Sequence, residues 1–499
     1  MAKRKQSTFE RLKNGTLNRK QRKQIMRRLS SDDPGLEIVH RHVAGIDVGN
    51  ESHFVAVAPG DDAQPVREFG SWTEDLHKMV EWLKACGIQH VVMQSTGVYW
   101  IAVYDVLEKA GFQVCLANAR DTRNLPGRKS DVQESQWLLK LHTYGLLRNS
   151  FRPPEEIRMV RTIWRLRTRL VQDAAREIRH MQKALTTMNV QLSNAISDIS
   201  GTTGLAIIRA IQQGQRDPFQ LAKLKDYRIR AGEEEIARSL EGNWQEDVLF
   251  ELRQALGTYD FHQQQIADCD VQLQKYLAAL PDHAPAEVVK SEAGTGEQSE
   301  NAPAAEKSEK KQKKSGKKSG KKSQRNQPKF DLEAEFTRIC GVNLRCIDGV
   351  DVMTIATFVS EPGTDMSKWK TENHLVSWLK LSPFQATSGG RPVKQKRPKF
   401  RNRVADVLRM AAGSLVHSDS YLGARYRYLS SRRGAPKAIK AMAAHLARII
   451  CRMLKHGQAW VDRGAQQHEA KRAERERLSL QRKAAALGFR LEPAARVVH

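Results

Sequence analysis

The apolar positions of residues 41–150 alternate between two periods. His42–Val48 and Phe54–Ala58 read as strands around a turn at Gly49-Asn50, and Val66–Gly70 as a third short strand. Leu76, Met79, Val80, Trp82 and Leu83 recur at helical spacing, which predicts a helix over Glu74–Cys86. A buried strand follows at His90–Gln94, a helix at Val98–Ala110, a strand at Gln113–Ala117, and a helix at Asp131–Tyr144 with Trp137, Leu138 and Leu141 on one side. From Pro154 to Leu280 the period is helical, with breaks predicted at Gly201–Gly204 and near Pro218. Within it Ile178, Met181, Leu185, Met188 and Leu192 step by 3, 4, 3 and 4, an a/d seam suited to a coiled coil or a helical hairpin.

The rest of the chain divides by composition. Residues 1–40 are a basic arm ending at Asp32-Asp33-Pro34-Gly35. Residues 283–330 are a linker in which Lys-Lys-Ser-Gly recurs without any aromatic residue. Residues 331–460 form a second, mostly helical unit punctuated by Gly341, Gly349, Gly363 and Gly389-Gly390, and 461–499 a charged helical tail. The predicted organisation is therefore an arm (1–40), an α/β domain (41–150), a helical or coiled-coil region (151–282), the linker, the second domain and the tail. Three strands followed by helix, strand, helix, strand and helix is the element order of a ribonuclease H-like α/β domain.

Charge changes the picture at the ends of the chain. The 499 residues hold 83 Lys plus Arg against 56 Asp plus Glu, a formal net charge of +27. The arm carries 11 basic and 4 acidic residues, and residues 391–499 carry 26 and 7. This asymmetry suits a polyanion such as DNA or RNA, whose counterions are released as phosphates are neutralised. No apolar run approaches the ~18 residues of a membrane span. No secretory leader is expected behind Met1–Lys5. The six cysteines are scattered without a C-x-x-C, which argues against both a disulfide framework and a zinc site and fits a reducing cytosol.

Candidate chemistry lies in both domains. Asp47 ends the first strand within Gly45-Ile46-Asp47-Val48-Gly49, and Asp131 and Glu134 share one face of the last helix of that domain. In a ribonuclease H-like order that helix lies beside the first strand, so three carboxylates converge as the hard oxygen set that Mg²⁺ takes. Two such ions can stabilise the attacking and leaving oxygens of a phosphodiester. Gln94, at the end of the fourth strand, offers an amide oxygen without charge, which weakens a metal site. Ser388 precedes Gly389-Gly390 and then Arg391, Lys394, Lys396, Arg397, Lys399, Arg401 and Arg403, a run suited to holding a phosphate backbone. A serine hydroxyl needs a base or a metal to become a nucleophile. Taken alone, Ser-Gly-Gly reads as a plain loop.

Gly45-Ile46-Asp47-Val48, Gln94-Ser95-Thr96-Gly97-Val98-Tyr99-Trp100, Asn118-Ala119-Arg120 and Gly127-Arg128-Lys129-Ser130-Asp131-Val132-Gln133-Glu134 together resemble the N-terminal domain of the DEDD-type insertion-sequence transposases. Cys340-Gly341-Val342 through Ser360-Glu361, Gly363-Thr364-Asp365-Met366, and Leu381-Ser382-Pro383 to Ser388-Gly389-Gly390 resemble their C-terminal transposase domain. The resemblance implies a RuvC-like domain with Mg²⁺ held by Asp47, Asp131 and Glu134, with position 94 nearby. It also implies a serine, Ser388, that forms a covalent link to DNA. It further implies a structured guide (bridge) RNA from the element's own end, donor and target DNA as substrates, and homodimers that pair into tetramers. The seam at Ile178–Leu192 is the candidate dimer contact. Nucleic-acid-binding candidates are Lys129 and the basic run from Arg391 to Arg403. The expected location is the bacterial cytoplasm, with the nucleoid. Two positions depart from the family: Gln94 replaces its usual second acid, and Glu134 replaces an Asp. The alternatives are a hydrolytic RuvC-like nuclease or junction resolvase that uses water in place of Ser388, and a nucleic-acid-binding protein whose chemistry is impaired by Gln94.

Overall fold

The computed structural model describes residues 21, 24–25, 36–95, 97–122, 130–283, 326–383, 386–388, 391–393, 401–457, 460 and 464–490. Two compact units, Met1–Arg152 and Pro153–His499, divide the chain.

The first unit is a five-stranded sheet of order β3-β2-β1-β4-β5. Its strands are β1 (Val43–Val48), β2 (Ser52–Ala56), β3 (Val66–Gly70), β4 (His90–Gln94) and β5 (Gln113–Ala117). β1, β2 and β3 pair antiparallel, and β4 and β5 continue parallel to β1. Helices α1 (Thr73–Ala85), α2 (Trp100–Lys109) and α3 (Asp131–Thr143) cover the sheet. The period of two along each strand decides which helix it meets. Ala44, Ile46, Val91, Met93, Val114 and Leu116 pack with the apolar sides of α1 and α2. Val43, Val92, Cys115 and Ala117 pack instead with Trp137, Leu138 and Leu141 of α3. Asp47 and Gln94 have the same parity as Val43 and Val92, so they belong to the face under α3.

The second unit is built on two 33-residue helices, α4 (Glu155–Thr187) and α6 (Glu246–Ala278), packed along each other. They run antiparallel: Arg167 in the first half of α4 pairs with Asp270 near the end of α6, its Nε 2.5 Å from Oδ1. Arg167 is only 2% exposed, and its Nη1 also donates to the Asn326 carbonyl at 2.8 Å. Toward one end of this pair, Met181, Leu185, Leu249 and Leu252 form a core with α5 (Thr202–Gln212) and the short helices Pro218–Ala222 and Glu233–Ser239. Toward the other, Trp164, Leu273 and Leu277 share a core with α7 (Leu332–Cys340), α8 (Val352–Ser360), α9 (Glu372–Trp378), α10 (Arg403–Ser414), α11 (Tyr421–Arg433) and α12 (Ala435–His456). Helix α13 (Gly464–Ala486) follows. No helix among the described residues is long and apolar enough to cross a membrane.

Two sequence expectations need correction, and one pair of strands was not predicted. The seam does not run through one helix: α4 ends at Thr187, and Asn189 takes a left-handed backbone with φ +57°. Met181, Leu185, Met188 and Leu192 are at most 2% exposed within the single chain, so this stripe is consumed inside it and is not an open dimer contact. Gly204 does not break a helix. It lies inside α5, where a Cβ would come 2.1 Å from the Ile199 carbonyl oxygen, while Gly201 is the cap before it. The mostly helical second domain also contains a β-hairpin, β6 (Ala386–Ser388) and β7 (Arg391–Val393).

Candidate active site

Helix α3 is positioned by a missing side chain. A Cβ on Gly45 would lie 2.2 Å from the Ser135 carbonyl oxygen and 2.5 Å from the Leu139 amide nitrogen. Only glycine therefore lets the helix backbone rest on β1. Asp47, two residues further along the same strand face, is half-buried and sits opposite Phe54 of β2. The first turn of α3 supplies Asp131, exposed, and Glu134, half-buried. Ser130 caps this turn, its Oγ accepting from the Gln133 amide at 3.3 Å. The helix N-terminus favours both negative charges electrostatically. The buried Trp137 donates its Nε1 to the Thr122 carbonyl at 3.2 Å, which fixes the helix rotation.

Gln94 ends β4, beside β1 in the parallel register Ile46↔Met93. Its Nε2 donates to Glu134 Oε1 at 3.3 Å. A second carboxylate here would repel Glu134 unless a cation lay between them; the amide replaces that repulsion with a hydrogen bond. The structure thus joins Gln94 to Glu134 and places Asp47 on the face that α3 covers. In chemistry the three carboxylates suit a hard divalent cation, being all oxygen and two of them at the edge of solvent. They are not drawn into a tight cluster. Among the described residues, the one group of three such ligating side chains whose ligand atoms lie within 4.8 Å of one another is His40, His90 and His142. Sequence reasoning missed that group, because its members lie in three separate segments with no ligand spacing between them.

In the second unit, β6 and β7 pair antiparallel with Ser388 opposite Arg391, and Gly389 and Gly390 lie outside the described residues. The Ser388 residue is thereby held by backbone pairing. Arg401 is exposed and lies 3.3 Å from Asp406, and Arg403 opens α10. Lys129, Lys394, Lys396, Arg397 and Lys399 lie outside the described residues. Glu361, part of the motif string, has a structural place. It is 6% exposed and accepts a forked pair from Arg165 at 2.8 and 2.6 Å, which ties the end of α8 to α4.

Comparison with protein families gives two matches, in chain order. Residues 44–190 match a model of the DEDD class described as a transposase, which spans Asp47, Gln94, Asp131 and Glu134. Residues 342–427 match a model described as the transposase IS116/IS110/IS902 family, which spans Ser388 and the basic run after it. No curated protein matches the chain. In chain order, the chain is thus similar to both parts of the IS110-type insertion-sequence transposases.

Proposed function

We propose that this chain is a transposase that cuts and rejoins DNA strands of its mobile element through a covalent phosphoserine intermediate at Ser388. In this reading the first unit is a ribonuclease H-like (RuvC-like) domain. The observation that carries the reading is the division of labour between the two family matches: one contains the acids carried by β1 and α3, the other the serine on β6.

Asp47, Asp131 and Glu134 would hold Mg²⁺, with Gln94 able to turn its amide and offer Oε1. Mg²⁺ bound there supplies Lewis-acid polarisation of a phosphoryl oxygen and eases deprotonation of an attacking hydroxyl. The Ser388 Oγ attacks the scissile phosphorus and loses its proton. One P–O ester bond of the strand breaks as the phosphoserine ester forms, and the departing oxygen takes a proton. A hydroxyl of the incoming strand then attacks the same phosphorus and returns Ser388 to its free form, so the bond is conserved without an external energy source. Arg391 pairs with Ser388 between β6 and β7, and in this reading it and the basic residues that follow in the sequence would hold the phosphate backbone. A structured guide RNA selects the DNA, and homodimers pair into tetramers so that the acids of one subunit serve the serine of another. Both are what the resemblance to this transposase family implies, and the +27 charge suits the nucleic-acid partners.

The test is adduct trapping with element-end DNA, guide RNA and Mg²⁺. Wild type is expected to yield a denaturation-resistant protein–DNA adduct, and Ser388→Ala to lose it while keeping RNA binding. Adduct in Ser388→Ala, or free cut ends without adduct in wild type, overturns the serine mechanism in favour of the hydrolytic one. The Gln94–Glu134 hydrogen bond also favours the impaired-copy alternative. Gln94→Glu is accordingly expected to lower the Mg²⁺ concentration needed for adduct formation, read by titrating the metal. An unchanged requirement would mean that position 94 does not face the ion.

A further inference from the structure

Helix α3 has a second cluster at its other end. His142 lies in its last turn, His90 begins β4, and His40 lies in the segment before β1. The acids and the histidines share elements but not location. Glu134 and His142 are eight positions apart on one helix, about 12 Å. Gln94 and His90 are at opposite ends of one strand, roughly 13 Å.

Four observations mark a built site. The three imidazoles offer ligand nitrogens that lie within 4.8 Å of one another. They line a cavity of about 430 Å³ together with Cys115, Arg148 and Asn149. His142 is only 6% exposed, yet its Nδ1 has no hydrogen-bond partner, a costly arrangement for a ring so deeply placed. His40 is held above the helix end by its own amide and that of Val39, which both donate to the Thr143 carbonyl at 3.0 and 2.9 Å. The histidines are also kept in the form that binds metal. Burial, reinforced by His40 and His90, pushes His142 down to about 3, and burial lowers the other two as well.

We propose that His40, His90 and His142 form a site for a borderline divalent transition ion of the Zn²⁺ class, separate from the carboxylates. Three neutral imidazoles and no lining carboxylate select nitrogen-preferring Zn²⁺, Co²⁺ or Ni²⁺ over Mg²⁺. Three protein ligands leave a fourth position open to the cavity. The ligand nitrogens lie within 4.8 Å of one another and two Zn–N bonds span at most about 4.2 Å, so the set closes slightly on the ion, and the stacked rings of His40 and His142 must tilt so that both lone pairs meet it. His40, outside any strand or helix, is the ring that moves. Its capture fastens the segment leading from the basic arm to the helix that carries Asp131 and Glu134.

The test uses the full-length, tag-free protein, freed of metal and held in excess Mg²⁺. Competition against a chromophoric chelator is expected to show one Zn²⁺ per chain. Co²⁺ is expected to give the visible absorption of a four- or five-coordinate nitrogen site. His40→Ala, His90→Ala and His142→Ala should each weaken Zn²⁺ by more than the ~10–100-fold that loss of an outer-shell partner costs. Asp131→Ala and Ser388→Ala should bind it as wild type does, which separates this site from the recombination chemistry. Should His142→Ala fail to fold, His40→Ala decides the matter, since it removes no strand or helix residue. Absence of stoichiometric Zn²⁺, or Zn²⁺ binding undiminished in His40→Ala, overturns the proposal.

Discussion

The two units hold their helices by different means. In the first, α3 is seated by direct backbone contact at Gly45 and by an apolar face of Val43, Val92, Trp137, Leu138 and Leu141. In the second, the two long helices add to their apolar cores a buried ion pair, Arg167 with Asp270, while the buried Glu361 ties the end of α8 to α4 through the part-exposed Arg165. Apolar contact fixes distance and tolerates small slides, whereas a buried forked ion pair fixes register, because removing either partner strands a charge away from water. The seat of α3 in the acid-bearing unit therefore depends on shape, and the register of the long helices in the serine-bearing unit on a buried charge pair.

The largest effect should come from breaking the charge lock. Asp270→Ala leaves the Arg167 guanidinium buried and uncompensated, and is expected to cost about 3–5 kcal/mol. Hydrogen exchange read unit by unit should show the loss in 153–283 and 326–457 while the sheet of the first unit keeps its protection. Equal loss in both units would dissolve the contrast. The shape-dependent counterpart is Gly45→Ala, whose methyl meets helix backbone on two sides. It is expected to cost about 3 kcal/mol and to cut adduct formation along with stability. A stable variant with wild-type adduct yield would show that α3 can slide without disturbing the acids.

The third and smallest effect sharpens the electrostatic side. His445 Nε2 faces Arg425 Nη1 at 3.4 Å, with Arg448 and Arg452 on the same helix. Burial first, and these three guanidiniums next, push it down to about 4. Its unfolded counterpart takes a proton near its ordinary 6.5, and the folded one refuses it until about 4. The second unit therefore loses stability as pH falls across that window, by about 2 kcal/mol, and regains it above 6.5. Denaturation midpoints from pH 7 to 4 should slope in wild type and flatten in His445→Gln. Parallel slopes would assign the pH response to other groups.

Much of the first unit was legible in the sequence. Strands β3, β4 and β5 fall on Val66–Gly70, His90–Gln94 and Gln113–Ala117 as the apolar pattern predicts, and the three helices shift by only one or two residues at most ends. Such segments are buried by their own periodicity, so the pattern carries the element. Legibility fails where the partner is distant. The stripe at Ile178–Leu192 announces a face to be buried, but nothing in it says whether a second chain or the helix Glu246–Ala278 covers it. Ser388 was visible only through its motif, because strands of three residues are too short to carry a period.

By itself the sequence determined the element order, the glycine at position 45, the acids at the ends of their elements and the basic charge at the termini. All of these are local, written within a few residues of where they act. Only the tertiary structure decided which residues meet. It brought the amide of Gln94 to Glu134 across 40 positions and closed the seam within one chain. It paired Arg167 with Asp270 over 103 positions, and it gathered three histidines from a loop, a strand and a helix end into one cavity. Chain folding sets such encounters through the packing of whole faces, and no short-range pattern encodes which distant residue each face will find.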